Sequence, residues 1–68
     1  MNYLEATFSH LAIGDVFAFP NGRKKYVYQG YSPFFHSYYY TSLTNYNKGY
    51  YSKNGLQIVF KFPDYGTR

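Results

Sequence analysis

Gly14-Asp15-Val16-Phe17-Ala18-Phe19-Pro20-Asn21-Gly22-Arg23-Lys24-Lys25-Tyr26-Val27-Tyr28-Gln29-Gly30 reads as one β-hairpin. Two runs of β-favouring residues flank Asn21-Gly22, the dipeptide that most readily supplies the positive φ angles of a tight hairpin turn, and a glycine bounds each outer end. With the register set by that turn, the strand period of two puts Phe17 and Phe19 on one face and Val16 and Ala18 on the other.

Upstream of the hairpin, Leu4, Phe8, Leu11 and Ile13 stand among polar residues. Phe8 and Leu11 are three apart, which suits a single 3-10 or α turn, and the stretch is too short for an independent helix. Residues 1–13 are therefore expected as a plug over one end of a barrel formed by residues 14–62, with 63–68 as a tail.

Downstream, Gly30-Tyr31-Ser32-Pro33 reads as a turn, since Pro33 fixes its own φ and biases Ser32 away from helix. Phe34 to Thr41 follows as a strand whose alternation is blurred by rings on both sides; ring count favours Phe34, His36, Tyr38 and Tyr40 facing inward. Ser42 to Gly49 has loop composition. Gly49 to Lys53 is a short strand that leads into Asn54-Gly55, a second hairpin turn. Its partner carries Leu56, Ile58, Phe60 and Phe62 in strict alternation with Gln57, Val59 and Lys61, an apolar face of four side chains. Pro63 ends the ladder because it has no amide hydrogen to donate. Five short strands and two Asn-Gly turns predict an all-β domain, a small five-stranded SH3-like barrel or strongly bent antiparallel sheet with a short N-terminal helical turn.

A chain of 68 residues is one small domain, in which only about 60% of the unfolded surface becomes buried. There is no cysteine to supply a disulfide or a zinc thiolate, so seven phenylalanines and eleven tyrosines must fill the interior. The start Met1-Asn2-Tyr3-Leu4-Glu5 lacks the charged and apolar regions of a secretory signal, which points to a cytoplasmic protein. No apolar run approaches the roughly 20 residues that span a bilayer, so a membrane is not an expected partner.

The string Phe8-Ser9-His10-Leu11-Ala12-Ile13-Gly14-Asp15-Val16-Phe17 resembles the F-x-x-L-x-x-G-D-x-F opening of small bacteriophage and prophage proteins that look like compact SH3-like barrels. The likeness covers about residues 7–29 and, more loosely, the closing strand. It implies a fold: two apolar plugs, a glycine at a sharp turn, an acid where a strand begins and an inward aromatic. It implies no catalytic or binding residue, and the tyrosine-rich second half departs from it.

Chemistry-bearing groups are sparse. His10 beside Ser9 and His36 beside Ser37 form no triad, because neighbours on a strand point to opposite faces and no acid is placed to orient either imidazole. Two histidines so far apart have no metal-ligand spacing. The glycines are scattered as turn punctuation and build no phosphate loop. No catalytic residue, metal or cofactor is expected.

The net charge of +4 rests on seven Lys and Arg against Glu5, Asp15 and Asp64. In a simple meander the Asn21-Gly22 turn and the Thr44 to Gly49 loop share one end, which gathers Arg23, Lys24, Lys25 and Lys48 around Tyr46. Such a patch suits phosphates with a stacking base, or else is a set of solvated charges that guard a strand edge. Eleven tyrosines exceed what so small an interior can hold with every hydroxyl partnered, so Tyr38, Tyr39, Tyr40, Tyr46, Tyr50 and Tyr51 are expected to supply a surface excess. Exposed tyrosine anchors protein interfaces and stacks on bases. The expected function is a non-enzymatic binding module for a protein or nucleoprotein complex of host or phage, as an inhibitor or otherwise. The alternative is direct binding of nucleic acid, single strands preferred. Self-pairing into a homodimer through an edge beside Tyr38 to Tyr40 is a further option.

Overall fold

The computed structural model describes residues 3–63. It is all-β, with strands β1 (Leu4–Thr7), β2 (Val16–Ala18), β3 (Tyr26–Ser32), β4 (Ser37–Ser42), β5 (Gly49–Ser52) and β6 (Ile58–Lys61), and one 3-10 turn at Phe8–His10. The strands form a single antiparallel sheet in the order β1-β6-β2-β3-β4-β5. Among the described residues the sheet has six strands with β1 and β5 as its edges, and it does not close into the expected five-stranded barrel.

The extra strand comes from the segment expected as a plug. Leu4-Glu5-Ala6-Thr7 has no strand pattern of its own, yet it pairs with β6 from Leu4↔Lys61 to Thr7↔Ile58. The 3-10 turn that follows meets the expectation: Leu11 N–H donates to Phe8 O at 3.2 Å, and both Phe8 and Leu11 are buried.

The hairpin is present, with Val16 opposite Val27 and Phe17 opposite Tyr26. Its turn is not the expected one. Gly22 N–H donates to Phe19 O at 3.0 Å, so Pro20 and Asn21 occupy the centre of the turn, and neither Asn21 nor Gly22 has a positive φ. Pro20 presets its own φ for the position after Phe19 and moves the reversal one residue upstream. Asn54-Gly55 is not a hairpin turn, because β5 and β6 are not neighbours: β6 is inserted between β1 and β2. Asn54 instead makes a local turn, its carbonyl accepting Gln57 N–H at 3.2 Å and its Oδ1 accepting Leu56 N–H at 3.0 Å.

β3 runs through the predicted turn at Gly30 by means of a bulge between Tyr28 and Gly30, where Gly30 takes φ +123°. The reversal falls at Pro33 to His36, and β4 begins only at Ser37. Of the set expected inward, Tyr38 and Tyr40 do pack on the core, whereas Phe34 is 84% exposed and His36 sits in the turn at φ 53°. On β6 the expected apolar face is also displaced: Val59 enters the core, while Leu56 precedes the strand and is 79% exposed. Of the predicted tail, only Pro63 lies within the described residues.

Phe8, Leu11, Phe17, Tyr28 and Val59 form the core, with Ala6, Phe19, Tyr26, Tyr38 and Tyr40 packed against it. Phe8 is its hub. Its ring meets Phe17 edge-on at 5.3 Å and stacks on Tyr38 at 5.8 Å and Tyr40 at 5.5 Å, so one face of the sheet curls around the 3-10 turn. Such ring pairs add about 0.5–1.5 kcal/mol each beyond area burial, which offsets the small size of the interior. Val16, Val27 and Thr41 lie in register on the opposite face and are also buried.

The core phenols set an alkaline limit. Burial raises the pKa of Tyr28 above 10.0, with the Tyr38 phenol adding to it, and burial followed by Tyr26 and Tyr50 raises that of Tyr40. A folded-state pKa above the unfolded one means that the unfolded chain loses these protons first. The stabilising contribution is therefore whole below pH 10.0 and is lost as pH rises through the folded values. The melting temperature should fall steadily above pH 10.0, and Tyr40→Phe should make that fall shallower; an unchanged slope would remove Tyr40 from this account.

Candidate functional site: a basic cleft and an aromatic ledge

The β2–β3 and β4–β5 connections meet at one end of the sheet. Leu43 N–H donates to Lys25 O at 3.0 Å, and between the connections lies a cleft of 380 Å³ lined by Arg23, Lys24, Lys25, Ser42, Leu43 and Thr44. Arg23 and Lys24 are exposed, and the Lys25 ammonium sits 5.1 Å from the centre of the Phe62 ring, a cation-π contact. Ser42 Oγ accepts Thr44 N–H at 3.3 Å, which ties two of the lining residues together.

The β4–β5 loop is fastened at several points. Ser42 N–H donates to Lys48 O at 3.1 Å, Lys48 N–H to Asn45 O at 3.0 Å, and Asn47 N–H to Asn45 Oδ1 at 3.0 Å. These bonds hold Tyr46 at the tip, 62% exposed. Lys48 is on this loop but does not line the cleft. Both described acids are elsewhere: Glu5 lies on β1, and Asp15, just before β2, accepts Ala12 N–H at 2.8 Å and pairs with Lys61 at 3.4 Å.

A second surface was not legible as such in the sequence. Tyr39 and Tyr51 are opposite one another on β4 and β5, with ring centres 4.9 Å apart. Phe35 continues the row at 5.5 Å from Tyr51, and Phe34 meets Phe35 edge-on at 4.9 Å. By alternation Tyr39 and Tyr51 lie on the face away from Tyr40 and Tyr50, so the four rings make a ledge on the outside of the sheet. Gly49 leaves room for it: a Cβ there would lie 2.7 Å from Tyr39 Cε1.

The reversal before β4 presents the two phenylalanines. Ser32 Oγ accepts Phe35 N–H at 3.3 Å, while Phe35 O accepts from Ser37 Oγ at 2.9 Å and Lys53 Nζ at 3.3 Å. With its backbone bonded inward, Phe35 turns its ring outward. The available signal was Ser32-Pro33 with Ser37, hydroxyls spaced to close a turn around Phe34 and Phe35.

The six tyrosines expected at the surface therefore divide. Tyr38, Tyr40 and Tyr50 are half-buried on the core side, Tyr50 stacking on Tyr40 at 5.4 Å. Tyr39, itself half-buried, and the exposed Tyr51 belong to the ledge, and the exposed Tyr46 marks the basic end. His10 Nδ1 is 2.8 Å from Thr7 Oγ1, and among the described residues no three His, Cys, Asp or Glu side chains come together. Comparison with protein-family models, curated proteins and solved structures found no match for this chain.

Proposed function

We propose that the chain is a non-enzymatic binding module that docks on a protein of a host or phage complex through the ledge of Phe34, Phe35, Tyr39 and Tyr51. The observation that carries this reading is the ledge's exposure: Phe34 is 84%, Phe35 52% and Tyr51 55% exposed, although their rings already touch one another. Adjoining rigid rings offer a large contact area at low entropic cost, which suits the centre of a protein interface. The resemblance of the Phe8 to Phe17 string to small phage proteins is the support for a phage setting, and a module that covers a working surface of its partner acts as an inhibitor.

A second reading rests on the cleft, where Arg23 and Lys24 stand beside the Ser42 and Thr44 hydroxyls. It would take the phosphates of a single-stranded nucleic acid, with Tyr46 stacking on a base. One comparison separates the two. Capture from lysate is run with the unaltered chain, with Phe35→Ser/Tyr51→Ser and with Arg23→Glu/Lys24→Glu, beside titration of a labelled oligonucleotide at two salt concentrations. The ledge reading expects a partner protein lost only with the ring variant, which should melt within about 5 °C of the unaltered chain because it removes exposed rings. Binding of a single-stranded oligonucleotide with a log-log salt slope of about −1.4, lost only with the charge variant, would replace it with the second reading.

A further inference from the structure

We propose that β5 is a docking edge for an extended acidic segment of a protein partner, which joins the sheet as a further strand. The proposal rests on the binding-module reading and names the chemistry of its partner. β5 is the last strand in the sheet order and pairs only with β4 among the described residues. The bond from Ser42 N–H to Lys48 O marks that pair as hydrogen-bonded. Antiparallel alternation then makes Tyr40–Tyr50 and Tyr38–Ser52 hydrogen-bonded pairs too, which turns the N–H and C=O groups of Gly49 and Tyr51 away from β4. An incoming strand finds backbone donors and acceptors at both residues and the ledge rings beside Tyr51.

Charge selects the occupant. Lys48 and Lys53 bracket β5, while the described acids, Glu5 and Asp15, are on β1 and next to β2. A second copy paired antiparallel about Tyr51 would set Lys53 of each chain opposite Gly49 of the other, one position from its Lys48, and so bring four lysines to the seam of two chains of net charge +4. Lysines gathered at one seam disfavour a copy, and the same edge attracts a strand with acids opposite Lys53 and Lys48. In a six-residue segment running antiparallel to Lys48–Lys53, these are the first and sixth positions. The third lies opposite Tyr51 and takes an aromatic or apolar side chain against the ledge.

The test is fluorescence anisotropy of the full chain with a labelled peptide whose six-residue core has glutamate at positions one and six, phenylalanine at three and threonine elsewhere. The expected result is binding about tenfold tighter than that of the same peptide with lysines for glutamates, a preference that Lys48→Glu/Lys53→Glu reverses. N-methylation of the peptide backbone at core position three or five, opposite Tyr51 and Gly49, should abolish binding. At position four, whose N–H faces outward, it should change affinity by no more than about twofold. Equal sensitivity to all three methyl groups, or to none, would overturn strand addition but leave a ring-mediated interface standing. No binding of either peptide at millimolar concentration would also overturn it, as would a dimer of the chain with which the peptide competes.

Discussion

Phe17→Ala is expected to remove about 3–5 kcal/mol of folding stability, the usual cost of deleting a fully buried phenyl ring. Phe17 is 0% exposed, and its ring centre lies 5.3 Å from Phe8, 5.6 Å from Phe19, 5.8 Å from Tyr26 and 5.4 Å from Tyr40. Ring partners this large and interlocked refill a vacated space poorly, so the cavity persists. At about 0.05–0.15 kcal/mol per residue the whole domain is worth only some 3–10 kcal/mol, and the variant should melt about 12–40 °C below the parent. Phe34→Ala is the control: with the ring 84% exposed, its effect should stay within about 0.5 kcal/mol. Thermal denaturation followed by circular dichroism measures both, and a Phe17→Ala protein melting within about 5 °C of the parent would displace Phe17 from the centre of the core.

Gly30→Ala is expected to cost about 2 kcal/mol by a different mechanism, backbone strain. Gly30 carries the β3 bulge at φ +123°, a conformation that residues with a Cβ rarely adopt, and an added Cβ would lie 3.3 Å from Ile13 Cδ1. Ile13 is 73% exposed and can move aside, so the strain and not the contact sets the cost. For a domain of this size the melting temperature should drop by about 8–16 °C. The bulge also sets the register that makes Gly30 opposite Tyr39 and Tyr31 opposite Tyr38. A stable variant with unchanged melting would mean that the bulge relaxes at no cost, and the position of Tyr39 on the ledge should then shift.

Where local chemistry was decisive, the chain could be read correctly. The Phe8 to Phe17 string yielded the 3-10 turn with Phe8 and Leu11 buried, and the alternation around Phe17 yielded β2 and its pairing with β3. On β6 the same alternation failed, because Val59 is apolar as well and periodicity cannot choose a face when both sides of a strand are covered. Val59 faces Phe8 and Phe17 in the core, while Phe60 is covered from the other side by Tyr3 at 4.7 Å.

All-β character, the tyrosine excess, the cation-rich β2–β3 connection and the burial of Phe8, Leu11 and Phe17 follow from residue types and spacings within a few positions of each other. Long-range pairing decided the rest: it made Leu4–Thr7 a strand, inserted β6 between β1 and β2, left β5 as an edge and divided the tyrosines between core and ledge. The physical reason is that a strand's hydrogen bonds are completed by whichever backbone lies alongside, and that backbone can be more than fifty residues away, as it is for Leu4 and Lys61.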